Sequence, residues 1–453
     1  MKDKNIQFVC SECGKVEPNW LGRCPSCGSW NTFQEEYISA PEKVGKRLDI
    51  STSSTPISLQ DVVVAEETRL TTGMSELDRV LGGGLMRGSA VLIGGEPGIG
   101  KSTLMLQVAA NCGNTMKVLY VSGEESPSQV KLRAERLHLP LDAISLFNDT
   151  RMEVLQKIVE DTAPTVLIVD SLQMLSSADI PSPAGSPNQM RSCAMSLVGI
   201  TKRLGISLFL IGHVTKDGSI AGPKIVEHLV DTVLYFDQSG SGVRMVRAAK
   251  NRFGSVDEIG IFLMTDKGLE VVENPAGFFL NQRPEGTLPP GIAFTAVVEG
   301  SRTFIVEIQA LTTTAKNGYS RIYSDRIDTS RVTRVAAVLE RHAGLHLSDQ
   351  DIYVNVGGGM KLTEVAIELP LALALWSSLS GHCLNDHSVS FGELSLAGEV
   401  RPVSFSDKRI KASHDMGYDS LIIPAATKTR RKKDQLCLCQ NIRQALDSCK
   451  LEM

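Results

Sequence analysis

Gly95-Glu96-Pro97-Gly98-Ile99-Gly100-Lys101-Ser102 reads G-x-x-x-x-G-K-[ST] in full. In that pattern the glycines let backbone N–H groups turn inward onto an anion. The lysine brings positive charge to β- and γ-phosphates, and the serine hydroxyl can ligate Mg2+. An apolar run at 90–93 leads in, and helix-forming residues 102–111 lead out with their N-terminus aimed at anionic oxygens. The chemistry implied is binding of ATP with Mg2+, with Gly95 to Ser102 and the adjacent Thr103 as nucleotide contacts. The plain alternative is a Gly-rich strand-to-helix turn that matches by chance, and the flanking elements argue against it.

Val166-Leu167-Ile168-Val169-Asp170 is a buried-strand pattern that ends on an acid. It would put the Asp170 carboxylate at the sheet's carboxyl edge, beside the cradle, where it can hold the Mg2+ shell; the plain alternative is a helix N-cap. Glu124 and Glu125 follow a second apolar run, 117–121, which ends at the same edge. A carboxylate there can polarise the attacking water. Otherwise the pair is an acidic loop facing solvent.

Cys10-x-x-Cys13 and Cys24-x-x-Cys27 make C-x2-C-x10-C-x2-C. Two such pairs can close a tetrahedral S4 site, and turns at Gly14 and Gly28 let N–H groups approach the sulfurs. The site predicted is a structural Zn2+, with no open position for catalysis. Trp20, Arg23 and Trp30 either grip nucleic acid by stacking or cover a very small core. The remaining cysteines, 112, 193, 383, 437, 439 and 449, are scattered, which suits thiols in a reducing compartment. Cys437 and Cys439 are close enough for a second metal reading, but no further Cys or His pair sits near them.

These residues need elements to hold them. Between 62 and 280 the apolar runs 90–93, 118–121, 166–169, 208–211 and 233–236 alternate with amphipathic helical stretches. That rhythm predicts α/β architecture with a largely parallel sheet covered on both faces. Residues 1–33 form the Cys-rich unit, and 34–61 is polar enough to be a linker. Residues 285–453 read as a separate α+β domain, with strands at 303–311 and 351–356 and helices at 333–342 and 363–379. At 453 residues two or three domains are expected, and 42% hydrophobic with 22% charged residues is the composition of a soluble globular protein. The formal charge of −4 neither supports nor excludes a nucleic-acid partner, because a local basic groove can coexist with an acidic sum. Met1-Lys2-Asp3-Lys4-Asn5 mixes charges, and no long uncharged apolar run exists, so a cytoplasmic protein without a membrane partner is expected.

Thr72-Gly73-Met74-Ser75-Glu76-Leu77-Asp78, followed by Leu81-Gly82-Gly83-Gly84-Leu85 and the cradle, resembles the lead-in of RecA/KaiC-type ATPases. Lys250-Asn251-Arg252-Phe253-Gly254 matches the KNRFG signature of the RadA (Sms) family of bacterial DNA repair proteins. With four N-terminal cysteines and a Lon-protease-like C-terminal domain, the resemblance covers essentially the whole chain. It implies a RecA-like core and a DNA-dependent ATPase that processes recombination intermediates. The expected assembly is a homohexameric ring around single-stranded DNA, with branched DNA also a partner. Such a ring would drive branch migration as a DnaB-like helicase, with the recombinase RecA as partner. On the RecA pattern Glu124 takes the water-activating place. Lys250 and Arg252 either pair with acids in their own domain or reach a neighbour's γ-phosphate as an arginine finger does. The alternative class is a KaiC-like regulatory ATPase that acts through protein partners.

The same resemblance points the loops at 176–189 and 213–224 toward the ring's centre, as flexible segments able to follow a phosphate backbone; a solvated connection is the plain reading. His213 is a γ-phosphate sensor or a structural histidine. Val354 to Gly359 and Gly398 to Pro402 resemble the Lon domain, in which a serine is activated by a lysine. The serine's place falls on Ala366, and the lysine's falls on or beside Asp407, with Lys408 one step away. No peptidase chemistry is expected. Arg430-Arg431-Lys432-Lys433 is compatible with phosphate contact but reads equally as a solvated face.

Overall fold

The computed structural model describes residues 6–10, 15–37, 69–213, 225–239, 242–272, 276–277, 280, 288–315, 320–429 and 436–451. The chain divides into two compact units, Met1–Asp237 with Arg244–Val271, and Gln238–Val243 with Val272–Met453. At the N-terminus β1 (Ile6–Cys10), β2 (Val16–Glu17) and β3 (Phe33–Tyr37) pair antiparallel in the order β2-β1-β3. The third strand therefore runs into the segment expected as linker. The rest of that segment and residues 430–433 lie outside the described residues.

The next domain begins with β4 (Arg69–Leu70), α1 (Ser75–Val80) and β5 (Leu85–Met86), which lead into β6 (Ala90–Gly95) and α2 (Lys101–Gly113). There follow β7 (Val118–Ser122), α3 (Pro127–Arg136), β8 (Ser145–Phe147), α4 (Met152–Thr162), β9 (Val166–Asp170), α5 (Pro187–Leu204) and β10 (Ser207–His213). After α6 (Ile225–Leu229) come β11 (Thr232–Ser239), β12 (Val243–Asn251), β13 (Ile259–Thr265) and β14 (Gly268–Val271). They build one nine-stranded sheet, β14-β13-β12-β11-β6-β10-β9-β7-β8. Pairing is parallel from β11 through β6, β10, β9 and β7 to β8. The five apolar runs read from the sequence all lie inside these parallel strands.

Alternation along a strand has period two, so successive residues feed opposite faces. Val91, Ile93, Tyr120, Ile168 and Phe209 join one core with α1, α2 and α3, whereas Leu92, Val121, Val169 and Leu210 join the other with α4 and α5. A parallel sheet buried on both sides needs apolar residues at both parities, which is why the runs are continuous.

The second unit contains β15 (Ile292–Glu299), β16 (Arg302–Thr314), β17 (Ile322–Ser324), α7 (Thr329–Ala343) and β18 (Gln350–Val356). It continues with α8 (Glu368–Ser380), β19 (Ser388–Ser390), β20 (Glu393–Leu394), β21 (Val400–Arg401), α9 (Ser406–Asp415), β22 (Ser420–Pro424), β23 (Leu436–Cys439) and α10 (Ile442–Leu451). Its mixed seven-stranded sheet runs β17-β18-β16-β15-β19-β22-β23. The helix expected at 363–379 starts only at Glu368, after a 3-10 turn at Val365–Ile367. Pro370 then falls in the first turn, where its missing N–H is one that no helical carbonyl would have received.

Candidate functional site

The strand β6 ends on Gly95, and the loop from Glu96 to Gly100 turns the chain into α2. A side chain at Gly95 would sit 2.7 Å from the Phe236 carbonyl oxygen of the neighbouring strand, so only glycine lets β11 pass that close. Gly100 has φ 114°, which lets the loop's last peptide turn before the helix starts. Arg244 of β12 donates from Nε to the Ile99 carbonyl at 3.0 Å and pins the loop's apex.

Lys101 is buried in the first turn of α2, and its Nζ donates to the carbonyls of Gly95 and Glu96 at 2.8 Å each. Burial lowers its pKa from the usual lysine range, and the charges of Asp170 and Glu124 pull the other way. That electrostatic link brings the three residues singled out in the sequence to one place. Ser102 and Thr103 follow, half-buried, at the positive end of the helix.

Asp170 closes β9, next to β7, with Ser122 opposite it in the register. The Tyr120 hydroxyl donates to Asp170 Oδ2 at 2.7 Å inside the core. The turn that follows, Leu172–Met174, starts from Ser171, so Asp170 is not its N-cap. Ser171 Oγ donates to Glu124 Oε1, and the Gly123 N–H donates to the Asp170 carbonyl at 2.7 Å. Glu125 turns away and pairs with Arg133 of α3. The two adjacent glutamates therefore differ in what they face, and Glu124 is the one held beside Asp170.

The loop at 176–189 departs from the flexible segment expected. Gln189 of α5 is buried and donates from Nε2 to the carbonyls of Ser177, Ile180 and Ser182 at 2.9–3.0 Å. Its Oε1 accepts from the Ser177 N–H at 3.0 Å, and Glu153 accepts from Ser177 Oγ and the Ala178 N–H. One buried amide thus satisfies backbone groups that water would otherwise serve. The spacing Ser186-Pro187-Asn188-Gln189 was the available signal, since it marks a helix start, and Ser186 does cap α5. His213 ends β10 with its backbone in register with Gly95, and residues 214–224 lie outside the described residues.

Lys250 and Arg252 sit at and just beyond the end of β12. Lys250 Nζ donates to the carbonyls of Glu227, His228 and Val230 at 2.7–3.4 Å, closing the C-terminal end of α6. Burial, and after it the Arg252 charge, lower its pKa. Arg252 Nη1 lies 3.2 Å from Asp231 Oδ1, which also takes Lys202 Nζ at 3.0 Å. In a single chain both cations have partners of their own domain. Asn251, Phe253 and Gly254 serve the lead-in. The Asn251 amide reaches the Val80 carbonyl at 3.2 Å, Arg69 reaches that of Phe253 at 2.6 Å, and a side chain on Gly254 would strike Gly82 at 3.0 Å.

In the N-terminal unit the sulfurs of Cys10, Cys24 and Cys27 lie within 4.8 Å of one another, with Cys10 and Cys27 3.7 Å apart. The edge of a tetrahedron with Zn–S near 2.3 Å is about 3.8 Å, so the donors fit zinc. Cys13 lies outside the described residues. The small core is Phe33 with Cys10 and Cys24, backed by Phe8, and Trp30 is 70% exposed with the Arg23 guanidinium 5.7 Å above its ring. Trp30 therefore does not fill the core, the plainer of its two readings. Cys437 and Cys439 have sulfurs 3.8 Å apart, but among the described residues no third metal-binding side chain joins them.

In the second unit Ala366 is buried in the core. Beside it Arg409, 2% exposed, donates to Glu364 Oε1 at 2.8 Å, to Glu364 Oε2, and to the carbonyls of Ala296 and Ser404. Asp407 accepts from Thr429 Oγ1 at 3.0 Å, and the Lys408 ammonium lies 5.0 Å from the Phe405 ring. Sequence reasoning missed Tyr120, Ser171, Gln189 and Arg409. A tyrosine inside an otherwise aliphatic buried strand was the one hint for the first.

A doubly covered parallel sheet with a phosphate loop at its carboxyl edge, and with Asp170 and Glu124 side by side at the ends of its strands, defines a RecA-like P-loop ATPase. Family models concur: "AAA domain" matches residues 53–219, "Rubredoxin metal binding domain" 8–35, and "Subunit ChlI of Mg-chelatase" 323–427. The chain is 48% identical to the DNA repair protein RadA of Treponema pallidum over 92% of this chain and 91% of that one. It is 44% identical to that of Bacillus subtilis over 94% of each, and 43% identical to that of Escherichia coli over 92% of each. The chain belongs to the RadA family of DNA repair proteins. Among the described residues no helix is long and apolar enough to cross a membrane.

Proposed function

We propose that this chain is a DNA-dependent ATPase that processes recombination intermediates as a cytoplasmic homohexameric helicase, driving branch migration on single-stranded and branched DNA with RecA as partner. The observation that carries it is the convergence of Lys101, Asp170 and Glu124 at one end of the parallel strands. Strands β9 and β10 end at that same edge, so nucleotide state and DNA contact can share it. In this reading Gly95 to Thr103 bind ATP, Ser102 and Asp170 hold Mg2+, and Glu124 orients the attacking water. Lys250 or Arg252 then serves a neighbouring subunit's phosphate. ATPase assays should show severalfold stimulation by single-stranded DNA; a rate indifferent to every DNA form tested would refute the proposal. The loop at 176–189 carries no Lys or Arg, which favours the second reading, a KaiC-like regulatory ATPase, and the same assay separates the two.

Cys10, Cys13, Cys24 and Cys27 hold one structural zinc in this proposal. Elemental analysis should find one zinc per chain, and Cys24→Ser should lose it and unfold the small unit without lowering basal ATP turnover. Full zinc occupancy in that variant would overturn the assignment. The C-terminal unit has no peptidase role here, because Ala366 offers no nucleophile.

A further inference from the structure

We infer that Tyr120 is a positioning residue for the metal-holding carboxylate, and that it sets how tightly the site takes Mg2+. The inference rests on the ATPase reading and on the role of Asp170 in it. Tyr120 sits on β7 with Ile168 opposite, two residues before Asp170 on β9, and the phenol spans that step to reach Oδ2. It is 2% exposed and Asp170 is 8% exposed. A buried tyrosine hydroxyl needs an acceptor, and a hydroxyl donated to a carboxylate is among the stronger hydrogen bonds.

With Oδ2 engaged, the carboxylate has one oxygen committed to the core, which leaves Oδ1 for the metal. Rotation about the terminal bond, which would present either oxygen to the metal, is suppressed. Outer hydrogen bonds of this kind fix the orientation of a metal-holding group and strengthen its hold on the ion. The competing view is that Asp170 merely satisfies a hydroxyl stranded in the core. The two differ in what they predict. A structural bond affects melting alone, whereas a positioning bond affects the Mg2+ dependence.

The test uses the full-length chain, with turnover measured against Mg2+ concentration at fixed ATP. Tyr120→Phe removes one oxygen and keeps the ring, and Tyr120→Met fills similar space without a donor. Both should raise the half-saturating Mg2+ concentration roughly tenfold, with turnover recovering at high Mg2+. Mn2+ binding in the presence of a non-hydrolysable ATP analogue, read by electron paramagnetic resonance, should weaken in parallel. In an Asp170→Asn background Tyr120→Phe should change Mn2+ binding no further. An unshifted Mg2+ requirement in a folded variant overturns the inference, as does a turnover loss that high Mg2+ does not recover. Wild-type protein without Mg2+-dependent ATPase would instead overturn the underlying reading.

Discussion

Lys101→Ala should lower ATP turnover by about 100-fold or more, with the chain still folded. The amine is buried at the loop it belongs to and donates to two of its carbonyls. There it can move to phosphate oxygens as their charge grows in the transition state. Removing one such stabilising group costs about 2.7–4 kcal/mol of barrier lowering, which is roughly 10²–10³ in rate. Stability should not suffer, because burial already disfavours this charge and alanine is the best helix former for the first turn of α2. Steady-state hydrolysis with a parallel thermal melt checks both halves, and a folded variant retaining most of the wild-type rate would sink the site assignment. The same variant tests the trans-acting cation. Lys250→Ala chains mixed with Lys101→Ala chains should regain activity, since some interfaces then pair an intact cradle with an intact Lys250. No recovery in confirmed mixed assemblies would leave Lys250 with only the carbonyls of α6.

Arg409→Ala should destabilise the C-terminal unit by about 3–5 kcal/mol, the largest stability loss expected of any single change considered. Arg409 joins α9 to Glu364, to the Ala296 carbonyl on β15 and to Ser404, and stacks 5.8 Å from the Phe391 ring. Truncating it strands a half-buried carboxylate and backbone acceptors together. In a unit of this size the midpoint should fall by on the order of 10 °C. Replacing both partners, Arg409→Met with Glu364→Gln, should recover part of the loss, because no full charge is then left behind. Unfolding followed by a probe in the second unit checks this. A midpoint within a degree or two of wild type would show that Glu364 is stabilised by other contacts.

The nucleotide site was largely legible because its chemistry is local. The phosphate loop needs its glycines and Lys101 consecutively, a buried strand needs a continuous apolar run, and Asp170 ends such a run. The gathering of Cys10, Cys24 and Cys27 was legible for the same reason, since a sulfur site built from two short turns dictates its own spacing. The placement of Asp170 beside Lys101 also followed, because parallel strands bring their carboxyl ends to one edge.

What the tertiary structure alone decided is which partner each polar group meets. Glu124 and Glu125 are indistinguishable neighbours until Ser171 takes one and Arg133 the other. A Ser- and Pro-rich loop looks mobile until a glutamine from the following helix satisfies its carbonyls. The signature around Lys250 reads as a catalytic device, yet within one chain half of it packs on the lead-in segment. Strand and loop patterns are set by residues within a few positions, whereas a side-chain hydrogen bond depends on which groups the fold delivers to within about 3 Å. Sequence spacing carries no record of that distance when the partners lie tens of residues apart, as Tyr120 and Asp170 do.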